Sequence, residues 1–248
     1  LYLLCSSICL YINFTPFHEA SHKLIAVKKY NYLNNIIGHL SSTIYGTSYL
    51  GWKYVHNLHH IHTNDVNDPD NFYNNIYQAV LLGPFLDLIY FLNYFKYIHK
   101  RPTREVIEAL STYGGFFYIW YYLIQHNLGS TLFYYYFLPL RFALLYATIV
   151  LDYNAHHDCP NKLEDNIKST KKVSGFFVKE DSDLLLSLFT QNQNYHNIHH
   201  LFPFVRFYQY QDIWNNKDIR HDLIQQGTNE INMIPQILED TNFDHLNL

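Results

Sequence analysis

The sequence predicts an all-α integral membrane protein built as a bundle of helices. Three observations favour this class. Long apolar segments recur along the chain, 18% of its 248 residues are aromatic while only 15% are charged, and its histidines repeat at helical spacings. A charged fraction of about 25% is usual in soluble domains. Few charges with many tyrosines and phenylalanines are typical of a protein in lipid, with rings at the interface.

Five apolar segments alternate with polar ones. The first begins at Leu1 inside an apolar run and without a methionine, which predicts a further helix upstream. The second contains three glycines and leads directly into a histidine cluster. A polar stretch, 62–75, has the Asn, Asp and Pro content of a loop. In chain order, the apolar segments are 1–16, 36–52, 76–95, 113–128 and 131–151.

The distribution of lysine and arginine predicts the topology. Basic loops stay on the cytoplasmic side of a membrane, so the loops 23–29, 96–104 and 162–172 should share that side. Segments 36–52 and 76–95 then lie in the interface, the second with a return bend at Gly83-Pro84. Segments 113–128 and 131–151 cross out and back. Arg141 falls inside the last span, where it either snorkels or faces the bundle.

Three histidine clusters carry the chemistry. They are H-x-x-x-H at His18 and His22, H-x-x-H-H at His56, and H-x-x-H-H again at His196. Residues three and four apart share one face of a helix, so each cluster aims its imidazoles in one direction. Surface histidines in a chain with 16 of them are the plain alternative. Two repeats of one spacing favour metal binding instead, and eight imidazoles exceed the four ligands of a tetrahedral zinc.

Two metal ions in an all-histidine shell are therefore the simplest interpretation. Imidazole suits iron as well as copper and zinc, and a di-iron centre at a membrane face suits O₂ activation. The topology places the clusters together on the cytoplasmic face of a multi-pass membrane protein. Metal-bound histidines usually donate their second N–H to a carboxylate or carbonyl. The side chains near the clusters that could accept it are those of Glu19, Asp68, Asp70, Asp158 and Asn194.

The three clusters in this order resemble the membrane fatty acid desaturase superfamily, which includes alkane and carotenoid hydroxylases. The likeness covers roughly residues 18–210. In finer detail, the sequence is similar to that of β-carotene hydroxylases of the cyanobacterial type. The stretches that carry this likeness are His18 to His22, Thr63 to Asp70, Asp152-Tyr153, Gln193 to Pro203 and Phe207 to Gln211.

The resemblance implies a helical bundle with a cytosolic helical cap that carries the histidine clusters, two iron ions, and O₂ as co-substrate. It divides the chain into a desaturase-like membrane di-iron domain, 1–210, and a polar tail, 211–248. Asp152 precedes His156 by four residues and becomes a further candidate ligand, direct or through water. His157 directly follows His156, so either of these two histidines could be the ligand. The implied ligands are His18, His22, His56, His59, His60, His156, His196, His199 and His200.

Hydroxylation of a β-ring carotenoid taken from the bilayer is the function expected first. The alternative in the same chemical class is an acyl-lipid desaturase, which removes a second hydrogen where a hydroxylase returns oxygen. Electrons come from a separate protein such as ferredoxin or cytochrome b5, because the chain has no His-Pro-Gly-Gly. A zinc-dependent membrane hydrolase and a metal-binding protein without turnover are more distant alternatives. The net charge of −4 argues against nucleic-acid binding.

Overall fold

The computed structural model describes residues 1–162, 168–171, 183–216 and 218, and every regular element in these residues is helical. This confirms the all-α class. Part of the basic loop 162–172 and most of the tail 211–248 lie outside the described residues. The α-helices are α1 Tyr2–Ile12, α2 Phe14–Ser21, α3 Tyr32–Tyr45, α4 Tyr49–His62, α5 Ile76–Leu82, α6 Leu86–Tyr97, α7 Thr103–Gln125, α8 Gly129–Leu132, α9 Leu138–Ala147, α10 Asn154–His156, α11 Asp183–Thr190, α12 His196–Leu201 and α13 Tyr210–Asn215.

Two long helices are assembled from shorter pieces. A 3₁₀ turn joins α5 to α6 in the helix Ile76–Lys100, and two π-helical stretches join α8, α9 and α10 in the helix Gly129–His156. Their lengths are 25 and 28 residues, and a span needs about 20 apolar residues. Both are therefore long and apolar enough to cross a membrane. Most of the expected crossing 113–128 lies in α7, which ends at Gln125 and is not one of these two.

The predicted return bend at Gly83-Pro84 is wrong, because the helix continues through it. Pro84 lies in the 3₁₀ turn that joins α5 to α6, so the hydrogen-bond pattern of the helix changes where the residue without an N–H stands. Gly83 allows the two long helices to approach each other closely. A Cβ at this position would lie 2.9 Å from Cβ of Thr148.

Arg141, inside the second long helix, faces the bundle and pairs with Asp87 of the first. Its Nη1 donates to Asp87 Oδ1 at 2.9 Å and to the Pro84 carbonyl at 2.7 Å, and its Nη2 donates to Asp87 Oδ2 at 2.5 Å. The guanidinium also lies 4.8 Å from the ring centre of Phe137. This two-point ion pair joins the two long helices and satisfies a charge that is costly in an apolar setting.

An aromatic core holds α2 against α4. The rings of Phe17 and Trp52 lie 4.3 Å apart, and the Tyr49 hydroxyl donates to the Ala20 carbonyl at 2.7 Å. Ser48 caps α4 by accepting a hydrogen bond from the Gly51 N–H, which fixes where this helix begins. Because both helices are anchored here, the turns that carry their histidines meet at one place.

A second cluster holds α12 against α13. Ile198 of α12 is buried with Phe202, which directly follows this helix, and Tyr210 and Ile213 of α13 pack on them. The predicted boundary between residues 210 and 211 falls inside α13. At least the first turns after this boundary therefore support the helix of the third histidine cluster.

The outer face of α7 carries exposed aromatic and aliphatic side chains. Phe117, Tyr118 and Tyr121 are each more than 60% exposed. An apolar surface of this extent is unusual on a soluble monomer and is what lipid would cover.

The Asp87–Arg141 pair yields a stability prediction. Arg141→Met leaves a half-buried carboxylate without its partner and should lower the free energy of unfolding. Breaking a buried pair costs about 3–5 kcal/mol, and the partial exposure of Asp87, 23%, reduces the expected loss to about 2 kcal/mol. Unfolding of the protein in detergent micelles measures it. The double variant Asp87→Leu/Arg141→Met should recover most of the loss, and a double variant as unstable as the sum of the single ones would contradict this account.

Candidate metal centre

Three short helical turns bring the histidines together. His18 and His22 end α2, His56, His59 and His60 end α4, and the third cluster forms α12. His156 ends α10 and comes from a fourth element. All nine implied ligands are at most 8% exposed, so their donor atoms face one another in the interior. They fall into two groups.

The first group contains five imidazoles. Their donor atoms all lie within 4.8 Å of one another. Successive Nε2 atoms are 3.0 Å apart between His18 and His199 and 2.9 Å apart between His199 and His60. The pairs His60–His56 and His56–His22 follow at 3.1 and 3.0 Å. We call these five residues the five-histidine group.

The second group contains four imidazoles within the same limit of 4.8 Å. Its Nε2 atoms form a row in which His59 lies 3.2 Å from His200, His200 lies 3.0 Å from His196, and His196 lies 3.0 Å from His156. We call it the four-histidine group. The two groups adjoin, since the rings of His60 and His200 are 4.4 Å apart.

Hydrogen bonds among the rings cannot account for this packing. An Nε2 atom carries at most one proton, and a proton directed at one neighbour does not serve the next. In a row of four nitrogens, at most two of the three contacts can therefore be hydrogen bonds. At least one pair of neighbouring Nε2 atoms must therefore lie about 3 Å apart in a buried site without a hydrogen bond between them, which is costly. A cation that receives all four lone pairs removes the conflict.

Burial keeps most of these rings neutral, which is the form that binds metal. Desolvation, together with neighbouring charged groups, lowers the pKa of six of these histidines well below the usual value. This holds for His22, His56, His60, His196, His199 and His200.

His59 differs from the other histidines because carboxylates surround it. Burial would lower its pKa, but the charges of Asp68 and Asp70 outweigh that effect and raise the pKa to about 9. Its Nδ1 donates to Asp68 Oδ1 at 2.8 Å and lies 3.4 Å from Asp70 Oδ2. The carboxylates make this imidazole a strong base and so a strong donor to a metal.

Other Nδ1 atoms contact polar groups on the outer side of the centre. His199 Nδ1 lies 3.0 Å from the Tyr210 hydroxyl and His156 Nδ1 lies 3.1 Å from Asn64 Oδ1. Such contacts leave Nε2 as the atom that points inward. Metal-binding histidines usually show this arrangement.

The remaining predicted residues occupy different places. Asp152 lines the cavity beside both groups, and its buried Oδ2 has no hydrogen-bond partner among the described residues. His157 is turned away: its side chain is 35% exposed, stacks on Tyr153 and contacts Asp158. Asn194 accepts a hydrogen bond from Thr190 and belongs to neither group. Of the doubled pair, His156 is the one that joins the centre.

A cavity of about 50 Å³ opens onto both groups. His18 and His56 line it from the five-histidine group, and His59, His156 and His196 from the four-histidine group. The apolar part of its wall is formed by Phe14, Trp52, Leu86, Ala147 and Leu151. Leu151 lies in a π-helical stretch, a feature frequent at functional sites. An apolar molecule can thus be held against the metal-binding atoms.

Two positions at the centre were not assigned a role from the sequence. Asn64 lies in the polar turn after the second cluster, and Tyr210 lies ten residues after His200, the last residue of the third cluster. A turn rich in Asn and Asp next to metal ligands is a signal that could have pointed to Asn64. Tyr210 lies within Phe207 to Gln211, one of the stretches that carry the family likeness, but its contact with His199 depends on how α13 packs.

Comparison with known proteins agrees with this centre. The sequence profile of the fatty acid desaturase family matches residues 1–229. Two curated relatives are an acyl-lipid (8-3)-desaturase of Mortierella alpina, 26% identical over 255 residues, and an sn-1 acyl-lipid omega-3 desaturase (ferredoxin) of Nostoc sp. (strain 36), 30% identical over 94 residues. The matches cover 83% and 36% of this chain, but only 54% and 26% of the relatives. The chain thus matches about half of the first relative and a quarter of the second. No solved structure matches it significantly.

The two groups predict separable metal sites. The protein loaded anaerobically with Fe²⁺ should bind two ions, and His200→Ala should remove the ion of the four-histidine group while the other stays. Elemental analysis of the purified protein measures the ratio. His62→Ala is the matched control, because His62 ends the same helix as His59 but belongs to neither group. Equal iron in wild type and His200→Ala would show that the four-histidine group holds no metal.

The carboxylate behind His59 yields a second prediction. Asp68→Asn removes the charge that makes the ring basic and should weaken metal binding about 10- to 100-fold. Titration with Fe²⁺ against a competing chelator measures the affinity. Asp65→Asn serves as control in the same turn, since the Asp65 carboxylate accepts hydrogen bonds from Asn67, whereas the Asp68 carboxylate accepts one from His59. Equal loss in both variants would mean that the turn, not the Asp68 charge, supports binding.

Proposed function

Because the chain belongs to the fatty acid desaturase family, we propose that it is an O₂-dependent di-iron oxidoreductase that desaturates an acyl chain of a membrane lipid. The family makes it an oxidoreductase. The observation that carries the finer proposal is the pair of histidine groups facing one cavity with an apolar wall. The comparisons favour desaturation over carotenoid hydroxylation, since both curated relatives are named acyl-lipid desaturases and nothing in them supports a carotenoid substrate.

The donor set fits two irons. Nine neutral or basic imidazoles suit iron, and they exceed what a three-histidine zinc hydrolase needs. In this proposal, the five-histidine group holds one ion and the four-histidine group the other. The iron pair, when bound, supplies O₂ activation and the removal of hydrogen from an unactivated C–H bond.

The apolar wall positions the substrate. Trp52 stacks on His56 at 4.6 Å between ring centres, so a chain lying against the indole passes next to the five-histidine group. The cavity holds only a few water-sized molecules, and a long acyl chain enters by displacing side chains such as Leu86 and Leu151. Their apolar surface then keeps water from the reacting carbons.

The reaction needs electrons from outside the chain. Two hydrogens leave adjacent carbons of the acyl chain, and two electrons and two protons join them in reducing O₂ to two waters. Ferredoxin is the proposed electron donor, and the name of the Nostoc relative includes it.

The proposed location is a membrane, with the histidine groups at its cytoplasmic face. Fatty acid desaturases are membrane-bound, and two helices of the described residues are long and apolar enough to span. Lys162 supports the cytoplasmic assignment, because it lies next to the centre and its Nζ donates to the His60 carbonyl at 2.7 Å. Lysines and arginines in short loops next to membrane-spanning helices stay on the cytoplasmic side.

Product analysis tests the proposed function. The gene for the chain is expressed with a ferredoxin and its reductase in cells that make both β-carotene and saturated acyl lipids. Fatty methyl esters and pigments are then analysed by mass. We expect an acyl chain that has lost two hydrogens and carries a new double bond, with the pigments unchanged.

Two outcomes decide against the proposal. Pigments that gain oxygen would show hydroxylation instead. Acyl chains that are equally altered in wild type and His199→Ala would show that the host, not this centre, made the double bond. His62→Ala, outside both groups, should behave like wild type.

A further inference from the structure

Asn64 joins one ring of the four-histidine group to the loop beside it. Its Nδ2 faces backbone carbonyls of that loop, at 2.9 Å from Pro160 and 2.6 Å from Ser169. The amide orientation is therefore determined, because only Nδ2 can donate to carbonyls. Its Oδ1 then faces His156 Nδ1 at 3.1 Å and must accept from it. His156 consequently carries its proton on Nδ1 and presents a lone pair at Nε2.

The backbone of the same residue reaches a second ring of the group. The Asn64 N–H donates to Asp68 Oδ2 at 2.7 Å, and the other oxygen of Asp68 accepts from His59 Nδ1 at 2.8 Å. His59 and His156 stand at the two ends of the row of four nitrogens. One residue thus orients both ends.

The conformation at this position favours asparagine. Asn64 has a φ of +60°, in the left-handed region that asparagine adopts more readily than most residues. Its side chain is also able to donate and accept at once, which the loop carbonyls and the imidazole require together. A residue that met only one of these demands would leave a buried group without its partner.

We propose that Asn64 is a positioning residue for the four-histidine group: it fixes the tautomer and direction of His156 through its side chain and steadies His59 through its backbone. This inference rests on the proposed metal centre. The contacts of Asn64 reach no ring of the five-histidine group, so the effect of replacing it is confined to one metal.

Iron binding tests the proposal without reference to turnover. Asn64→Gly keeps the left-handed backbone and the N–H to Asp68 but removes the acceptor for His156. The full chain is purified in detergent, loaded with Fe²⁺ under nitrogen, and assayed for iron content and for its Mössbauer spectrum. We expect one iron to be retained and the other to be bound about 10- to 100-fold more weakly.

Two further variants separate positioning from general loosening. Asn64→Asp keeps an oxygen for His156 Nδ1 and should retain both irons although it loses the donor to the loop. Asn127→Gly is the matched control, because Asn127 also has a φ of +60° but lies just after α7. It should bind iron like wild type.

Each outcome has one meaning. Two firmly bound irons in Asn64→Gly would overturn the inference and leave the centre standing. Equal loss of iron in Asn64→Gly and Asn64→Asp would also overturn it, since the loop contacts alone would then matter. If Asn64→Gly does not fold, Asn64→Asp decides: two irons support the inference and one iron contradicts it. A wild-type chain that binds fewer than two irons would overturn the metal centre itself.

Discussion

The structure depends on a conflict among buried nitrogens that only cations resolve. Nine imidazoles lie in the interior with neighbouring Nε2 atoms 2.9–3.2 Å apart, and they cannot carry enough suitably placed protons to satisfy all these contacts. Much of the rest of the fold serves to hold them there. The aromatic core aligns α2 with α4, and the cluster around Ile198 and Tyr210 holds α12 in place. The ion pair between Asp87 and Arg141 joins the two long helices, one of which delivers His156.

The helix turn explains why so much of the centre could be predicted from the sequence. Spacings of three and four residues place imidazoles on one face of a helix, and α2, α4 and α12 follow this rule. His156 has no such spacing, and its selection over His157 depends on where α10 ends. The division into groups of five and four is also tertiary, because each group draws on three different clusters or helices.

Topology was harder to predict, for a physical reason. Gly83-Pro84 suggests a bend, but the same residues are accommodated in a 3₁₀ turn within a continuous helix and allow close packing against Thr148. Arg141 could be assigned no partner from the sequence, since Asp87 lies 54 residues away. The charge pattern that sorts loops by side says nothing of which helices pack together. The residues alone did not determine the substrate, and the proposal of an acyl chain rests on the names of the relatives, not on the cavity.

The most direct test of the account is to locate the metals. Crystals of the iron-loaded protein, measured at wavelengths on both sides of the iron absorption edge, reveal each iron as an anomalous peak. The account predicts two peaks, one among His18, His22, His56, His60 and His199, and the other among His59, His156, His196 and His200. A single peak, or peaks outside these two sets of rings, would contradict it.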